Sequence, residues 1–96
     1  MPAADRENLQ QKIEMMERAE REYRDLTGFL SLYCGDGLLA EELSQEVMIR
    51  VCRDWTKVRS MENPRAWCRR VGINVANSRF RRTVAERRRA GQSPTG

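Results

Sequence analysis

Between Leu39 and Trp55 an apolar residue returns at every fourth position: Leu39, Leu43, Val47, Val51 and Trp55. A strand alternates with a period of two, whereas a helix brings side chains back to one face about every 3.6 residues. The stretch is therefore a helix with a single buried stripe, predicted from Leu38 to Trp55. Ala40 and Met48 widen that stripe, and the opposite faces carry Glu41, Glu42, Gln45, Glu46, Arg50 and Arg53. A helix with one apolar face needs other elements to cover it.

The flanking sequence supplies two more helices and no strand. Leu9, Met16, Tyr23 and Leu30 recur every seven residues, with Ala19, Leu26 and Tyr33 at complementary positions, which predicts a helix from Asp5 to Cys34. Gly35-Asp36-Gly37 breaks it, with Gly35 suited to a C-cap and Asp36 to an N-cap. A polar loop is expected from Thr56 to Glu62, containing Lys57 and Arg59. Asn63 then suits an N-cap and Pro64 the first helical position of a third helix, ending between Arg82 and Arg89. Trp67, Val71, Val75 and Phe80 are its expected apolar side. Gly72 lies inside it at a cost of about 1 kcal/mol relative to Ala. The fold class is all-α, a small three-helix bundle. Residues 1–22 read as a charged N-terminal helical extension, 23–90 as the domain proper and 91–96 as a linker or disordered end.

Composition narrows the chemistry. With 40% apolar and 33% charged residues in 96, the core must be thin and much of the surface solvated or partner-facing. No apolar stretch is long enough to cross a membrane or to form a secretory signal. There is no His, which removes imidazole catalysis and His metal sites. Cys34, Cys52 and Cys68 are odd in number and lack metal-ligand spacing, which fits a reduced, cytoplasmic setting. No nucleophile–base pair, phosphate-cradling glycine loop or dinucleotide fingerprint is present. Glu41, Glu42 and Glu46 share a helix, and without a metal partner or pocket they read as a solvated or partner-binding acidic face. No enzyme activity and no cofactor are expected.

The net charge of +4 conceals a segregation. Residues 1–31 sum to −2, 32–64 to −2 and 65–96 to +8, and all nine basic residues of the last third are Arg. Arg suits bidentate phosphate contacts and stacking. The plain alternative for Arg87-Arg88-Arg89 is a solvated basic tail. Over the whole segment the arginines are interleaved with apolar residues, which favours nucleic-acid binding.

The order of these features resembles a known family. Gly35 to Val51 (GDGLLAEELSQEVMIRV) is followed by Trp55, then Asn63-Pro64-Arg65-Ala66-Trp67, then Val71 to Asn77, then Arg79, Arg81 and Arg82. That series is similar to region 2 of the extracytoplasmic-function group of sigma-70 factors, over roughly residues 23–89. The resemblance implies that the acidic helix docks on the clamp helices of the RNA polymerase β′ subunit, at positions matching Glu42, Gln45 and Glu46, with Met48, Ile49 and Cys52 as apolar neighbours. Charge at such a face would add specificity and on-rate. It further implies that the third helix and the loop before it recognise and melt the promoter −10 element. Flipped bases of the non-template strand are read on their edges and phosphate contacts fix the register. Asn74 matches the base-capture Asn, and its amide offers both a donor and an acceptor. Lys57 to Glu62, with Arg59, matches the loop that selects the flipped base. Arg69, Arg70, Arg79, Arg81 and Arg82 are the expected phosphate contacts, and Asn77 joins the DNA-binding set.

Departures from the pattern are Glu42 for Asp, Ser44 at an apolar position, Met48 at an aromatic one and Gly72 where Ala is common. The family also implies a second helical domain that reads the −35 element, and Gly91 to Gly96 resembles the start of the linker toward it. The chain is then expected to be an excised or truncated domain, or one that works with a partner. Two other readings stay open: a non-initiating module of the same fold that binds polymerase or an anti-sigma factor, and a generic basic helical DNA-binding domain.

Overall fold

The computed structural model describes residues 3–92. Four helices follow one another, with no strand among the described residues: α1 (Ala3–Cys34), α2 (Gly37–Arg53), α3 (Trp55–Arg59) and α4 (Pro64–Gln92). The all-α bundle matches the expectation, with one addition. The predicted polar loop after Trp55 is largely the short helix α3, because Val58 turns inward and is fully buried there. Lys57 and Arg59 therefore sit on a helical turn rather than a loop.

The breaks are built as the sequence indicates. Gly35 takes φ +68, the left-handed conformation that only Gly adopts without strain, and its N–H bonds the Ser31 carbonyl at 2.9 Å. Asp36 then caps α2 by accepting from the Leu39 N–H at 3.1 Å. Asn63 caps α4 in the same way, accepting from the Ala66 N–H at 3.1 Å, with Pro64 as the first helical residue.

Leu26 and Leu30 of α1 meet Ala40, Leu43, Val47 and Val51 of α2, Val58 of α3, and Cys68, Val75 and Ala76 of α4. Phe29, Leu39, Met48, Trp55, Trp67 and Val71 pack against this centre from its margins. The expected seven-residue seam of α1 is not the buried one in its first half. Leu9, Ile13 and Met16 are exposed, and the inward row is Glu22, Leu26 and Leu30. Helix length explains the difference: α2 has 17 residues and spans about 26 Å, so it covers little more than half of the 32-residue α1. Part of the uncovered half lies beside α3, where Arg59 pairs with Glu14 at 3.5 Å and Met15 borders Trp55.

Phe80 is likewise no core residue. The inward face of α4 is the small-residue row Cys68, Gly72 and Ala76 together with Val75. A Cβ at Gly72 would lie 3.0 Å from Leu26 Cδ1 and 3.3 Å from Leu30 Cδ1, so the glycine permits a close approach of α4 to α1. α4 also continues past Arg89 to Gln92, so residues 91 and 92 end a helix instead of opening a linker, and 93–96 lie outside the described residues.

Cross-links between α1 and α4 rise in step: Glu22 with Arg65, Asp25 with Arg69, Tyr33 with Asn77. The two long helices thus run parallel but offset. Their free ends project from opposite ends of a molecule 69 Å long and 26 by 21 Å across.

Candidate functional site

Two surfaces emerge from this arrangement. The first is the outward face of α2. Positions 38, 42, 45, 46, 49 and 52 fall on one side of a helix, opposite the stripe formed by Leu43, Val47 and Val51. Ile49 is 68% exposed and Leu38 77%, and between them stand the carboxylates of Glu42 and Glu46 and the amide of Gln45. Cys52 is exposed at the far end of the same face. Met48 departs from the expected set: it packs on the core, because it follows the buried Val47 around the helix toward the inner side.

The second surface is the free side of α4 with the α3–α4 connection. Lys57, Met61, Asn63, Trp67 and Arg70 line a depression of about 660 Å³ between the connection and the start of α4. Two turns further along, Asn74, Ser78, Arg79 and Arg82 of α4 face Glu46 and Arg50 of α2 across a groove of about 210 Å³. Asn74 and Arg70 are exposed, as is Arg81, whose guanidinium donates to Ser78 Oγ at 3.3 Å.

Several expected DNA contacts are engaged inside the molecule. Arg69 donates to both carboxylate oxygens of Asp25, at 2.7 and 3.0 Å, and its guanidinium sits 4.9 Å from the Phe29 ring centre. α4 thus turns Arg69 toward Asp25 of α1. The Arg69 hydrogen bonds hold the Asp25 carboxyl below its ordinary pKa, against the opposing effect of partial burial. Arg65 joins them, reaching Glu22 at 3.2 Å and Asp25 at 3.6 Å. Glu22 is buried and also meets Arg18 at 3.6 Å, so its charge is compensated from two sides. Asn77 accepts from the Tyr33 hydroxyl at 2.7 Å, which leaves its amide N–H groups for the outside. Arg79 reaches across to Glu42 at 3.6 Å, and Arg50 to Glu46 at 3.9 Å.

From the sequence, α2 and α4 are expected to present two separate faces. In the structure they share an edge, and Arg50 of α2 borders the same groove as Asn74. The signal was present in the four-residue spacing of Glu46 and Arg50, but only the antiparallel crossing of α2 and α4 places that edge beside Asn74.

No group of three or more Cys, Asp or Glu suited to a metal ion occurs among the described residues, and no helix there is long and apolar enough to cross a membrane. A family model described as Sigma-70 region 2 matches residues 19–86. No curated protein and no solved structure matches the chain.

Proposed function

The chain belongs to the sigma-70 region 2 family, and on that premise we propose that it is a transcription-initiation module of the extracytoplasmic-function type. The family is one of transcription-initiation factor domains, whose partners are core RNA polymerase and promoter DNA. In this reading the outer face of α2 docks on the clamp helices of the polymerase β′ subunit. Ile49 and Leu38 provide the desolvated centre, and Glu42, Gln45 and Glu46 provide the charged surround that meets a basic helical hairpin.

The DNA partner is the melted non-template strand of the −10 element. Flipped bases enter the depression between the α3–α4 connection and Trp67, which Lys57 lines, and Asn74 reads a base edge, while Arg59 turns to Glu14 of α1 on the other side of α3. Arg70, Arg79, Arg81 and Arg82 hold phosphates. Arg69 is assigned to bracing α1 against α4, and Asn77 to a contact made through its free amide N–H groups.

The observation that carries the reading is the exposure of two large apolar side chains, Leu38 and Ile49, on the same outer face of α2 as Glu42, Gln45 and Glu46, on a helix whose other side is buried. A single exposed apolar side chain is ordinary on a solvated surface, but Leu38 and Ile49 on one face with Gln45, Glu42 and Glu46 beside them have the make-up of a docking face, apolar groups rimmed by polar ones. The test is a pull-down of core polymerase with Glu46→Lys and Ile49→Ala chains. Both are expected to lose polymerase while keeping the helical circular dichroism and melting temperature of the parent. Undiminished capture of polymerase by both would overturn the assignment.

A further inference from the structure

Past Thr83, α4 leaves the bundle, and every residue from Val84 to Gly91 is exposed. On this free length Phe80 is 38% exposed and Val84, one turn on, is 47% exposed. With Ala85 they form a shallow apolar depression bordered by Arg81, Arg88 and Arg89. Glu86, the one acidic residue of the last third of the chain, is not part of that border. Phe80, Val84, Arg88 and Arg89 have no part in the reading above.

We propose that this patch is a second contact for single-stranded nucleic acid, in which the Phe80 ring stacks on one unpaired base while Arg81 and Arg88 hold phosphates beside it. An aromatic face set among cations is the arrangement that takes single strands without reading sequence, because every base has a π-face and every linkage a charge. Phe80 lies six residues beyond Asn74, about 9 Å along the helix. It also lies about 120° around the helix from Asn74, so a strand held at Asn74 reaches Phe80 by wrapping part of the way around the free length of α4, a path of a few nucleotides. The apolar area is too small for the alternative: two half-exposed side chains on one projecting helix fall far short of the roughly 800 Å² per partner of a stable protein interface. The inference rests on the proposed −10 reading for the origin of the strand.

The test measures binding of the full chain to a labelled mixed-sequence single strand and to its duplex. Phe80→Ala is expected to weaken single-strand binding about tenfold and to leave duplex binding unchanged, since paired bases offer no free face. Phe80→Trp should restore single-strand binding, and Phe80→Leu should not. Arg88→Gln should lower the salt dependence of binding by somewhat under one phosphate equivalent. Wild-type affinity in Phe80→Ala, equal losses on single strand and duplex, or full binding by Phe80→Leu would each overturn the proposal, the last marking a plain apolar docking patch. A parent chain that binds no single strand would sink the −10 reading together with it. A parent that binds, loses base preference in Asn74→Ala and ignores Phe80 would sink this inference alone.

Discussion

Arg69 grips Asp25 across the α1–α4 interface with two hydrogen bonds, Nη2 to Oδ1 at 2.7 Å and Nε to Oδ2 at 3.0 Å, while its guanidinium covers Phe29. A planar fork matched to a carboxylate, and stacked on a ring, is geometry that Lys cannot reproduce. Arg69→Lys and Arg69→Gln should both lower stability, read as a shift of the urea midpoint to lower concentration. The same changes should leave DNA affinity close to wild type, whereas Arg70→Gln weakens it. A DNA loss in Arg69→Gln equal to that in Arg70→Gln would return Arg69 to the phosphate-contacting set.

The same pair fixes a pH dependence. The Asp25 carboxyl is held below its ordinary value chiefly by the Arg69 hydrogen bonds. Its folded pKa is thus lower than its unfolded one, so the pair contributes stability above the usual carboxylate range and that contribution is lost as pH falls through the lowered value. Asp25→Asn should therefore flatten the acid limb of the stability curve. A parallel shift of the whole curve, with the limb unchanged in slope, would show that Asp25 is not the group being titrated.

At Gly72 two effects oppose each other. Ala would add about 1 kcal/mol of helix propensity, but its Cβ would press on Leu26 and Leu30 at 3.0 and 3.3 Å. The expected outcome for Gly72→Ala is a melting temperature near that of the parent. Gly72→Val adds branching into the same contact and should destabilise by about 2 kcal/mol. A stabilised Gly72→Val chain would mean that α1 and α4 are free to move apart.

The elements were readable wherever one local signal decided them: the four-residue stripe of α2, Gly35-Asp36 as a paired stop and start, Asn63-Pro64 as a start. The core of α4 was readable in part: Val75 is buried and Trp67 and Val71 pack on the core as expected, whereas Gly72 and Ala76 are too small to register as an apolar face and Phe80 registers yet lies outside. Val58 was hidden in the same way, as one apolar residue in a polar stretch whose helical turn buries it in the core. Among the arginines the sequence gives the sign of the charge but not its direction. Arg69 and Arg70 are adjacent and differ by about 100° around the helix, which puts one against Asp25 and the other in solvent. Ser44 was legible as a departure, and the structure gives it a consequence: its hydroxyl is buried with no hydrogen-bond partner. Ser44→Ala should stabilise the chain by about 1 kcal/mol, measured by urea unfolding.

The three thiols separate by environment. Burial, assisted by the nearby Glu22 charge, pushes Cys68 up to about 11, while Cys52 stands exposed on the outer face of α2. Because thiolate is the reactive form, alkylation near neutral pH followed by mass spectrometry should modify Cys52 promptly and Cys68 only when the chain opens. The raised folded pKa also means that the neutral Cys68 thiol supports the fold below the ordinary thiol value of 9.0 and that this support is lost as pH rises toward about 11. Cys68→Ala should weaken that alkaline loss. Equal labelling rates at Cys52 and Cys68 in the folded chain would contradict the burial.

Glu42 stands between the two proposed partners, since Arg79 of α4 reaches it at 3.6 Å while its side chain remains largely exposed toward the α2 face. On the proposed reading, a polymerase that engages Glu42 competes with Arg79 for the carboxylate, and a carboxylate left free of polymerase offsets the arginine proposed to hold a phosphate. The pair is solvent-exposed, so the attraction is worth no more than about 1 kcal/mol. Glu42→Ala should therefore have opposite effects on the two partners. Polymerase capture falls, while single-strand DNA affinity of the isolated chain rises by up to about fivefold at low salt. The rise should fade as salt is added, because the extra phosphate contact of a freed Arg79 steepens the salt dependence of binding. Glu42→Gln, which keeps the shape and removes the charge, should behave like Glu42→Ala. If DNA and polymerase binding both fall in these variants, Glu42 acts through the fold and not through Arg79; if DNA binding rises and persists at high salt, the gain comes from something other than an unpaired guanidinium.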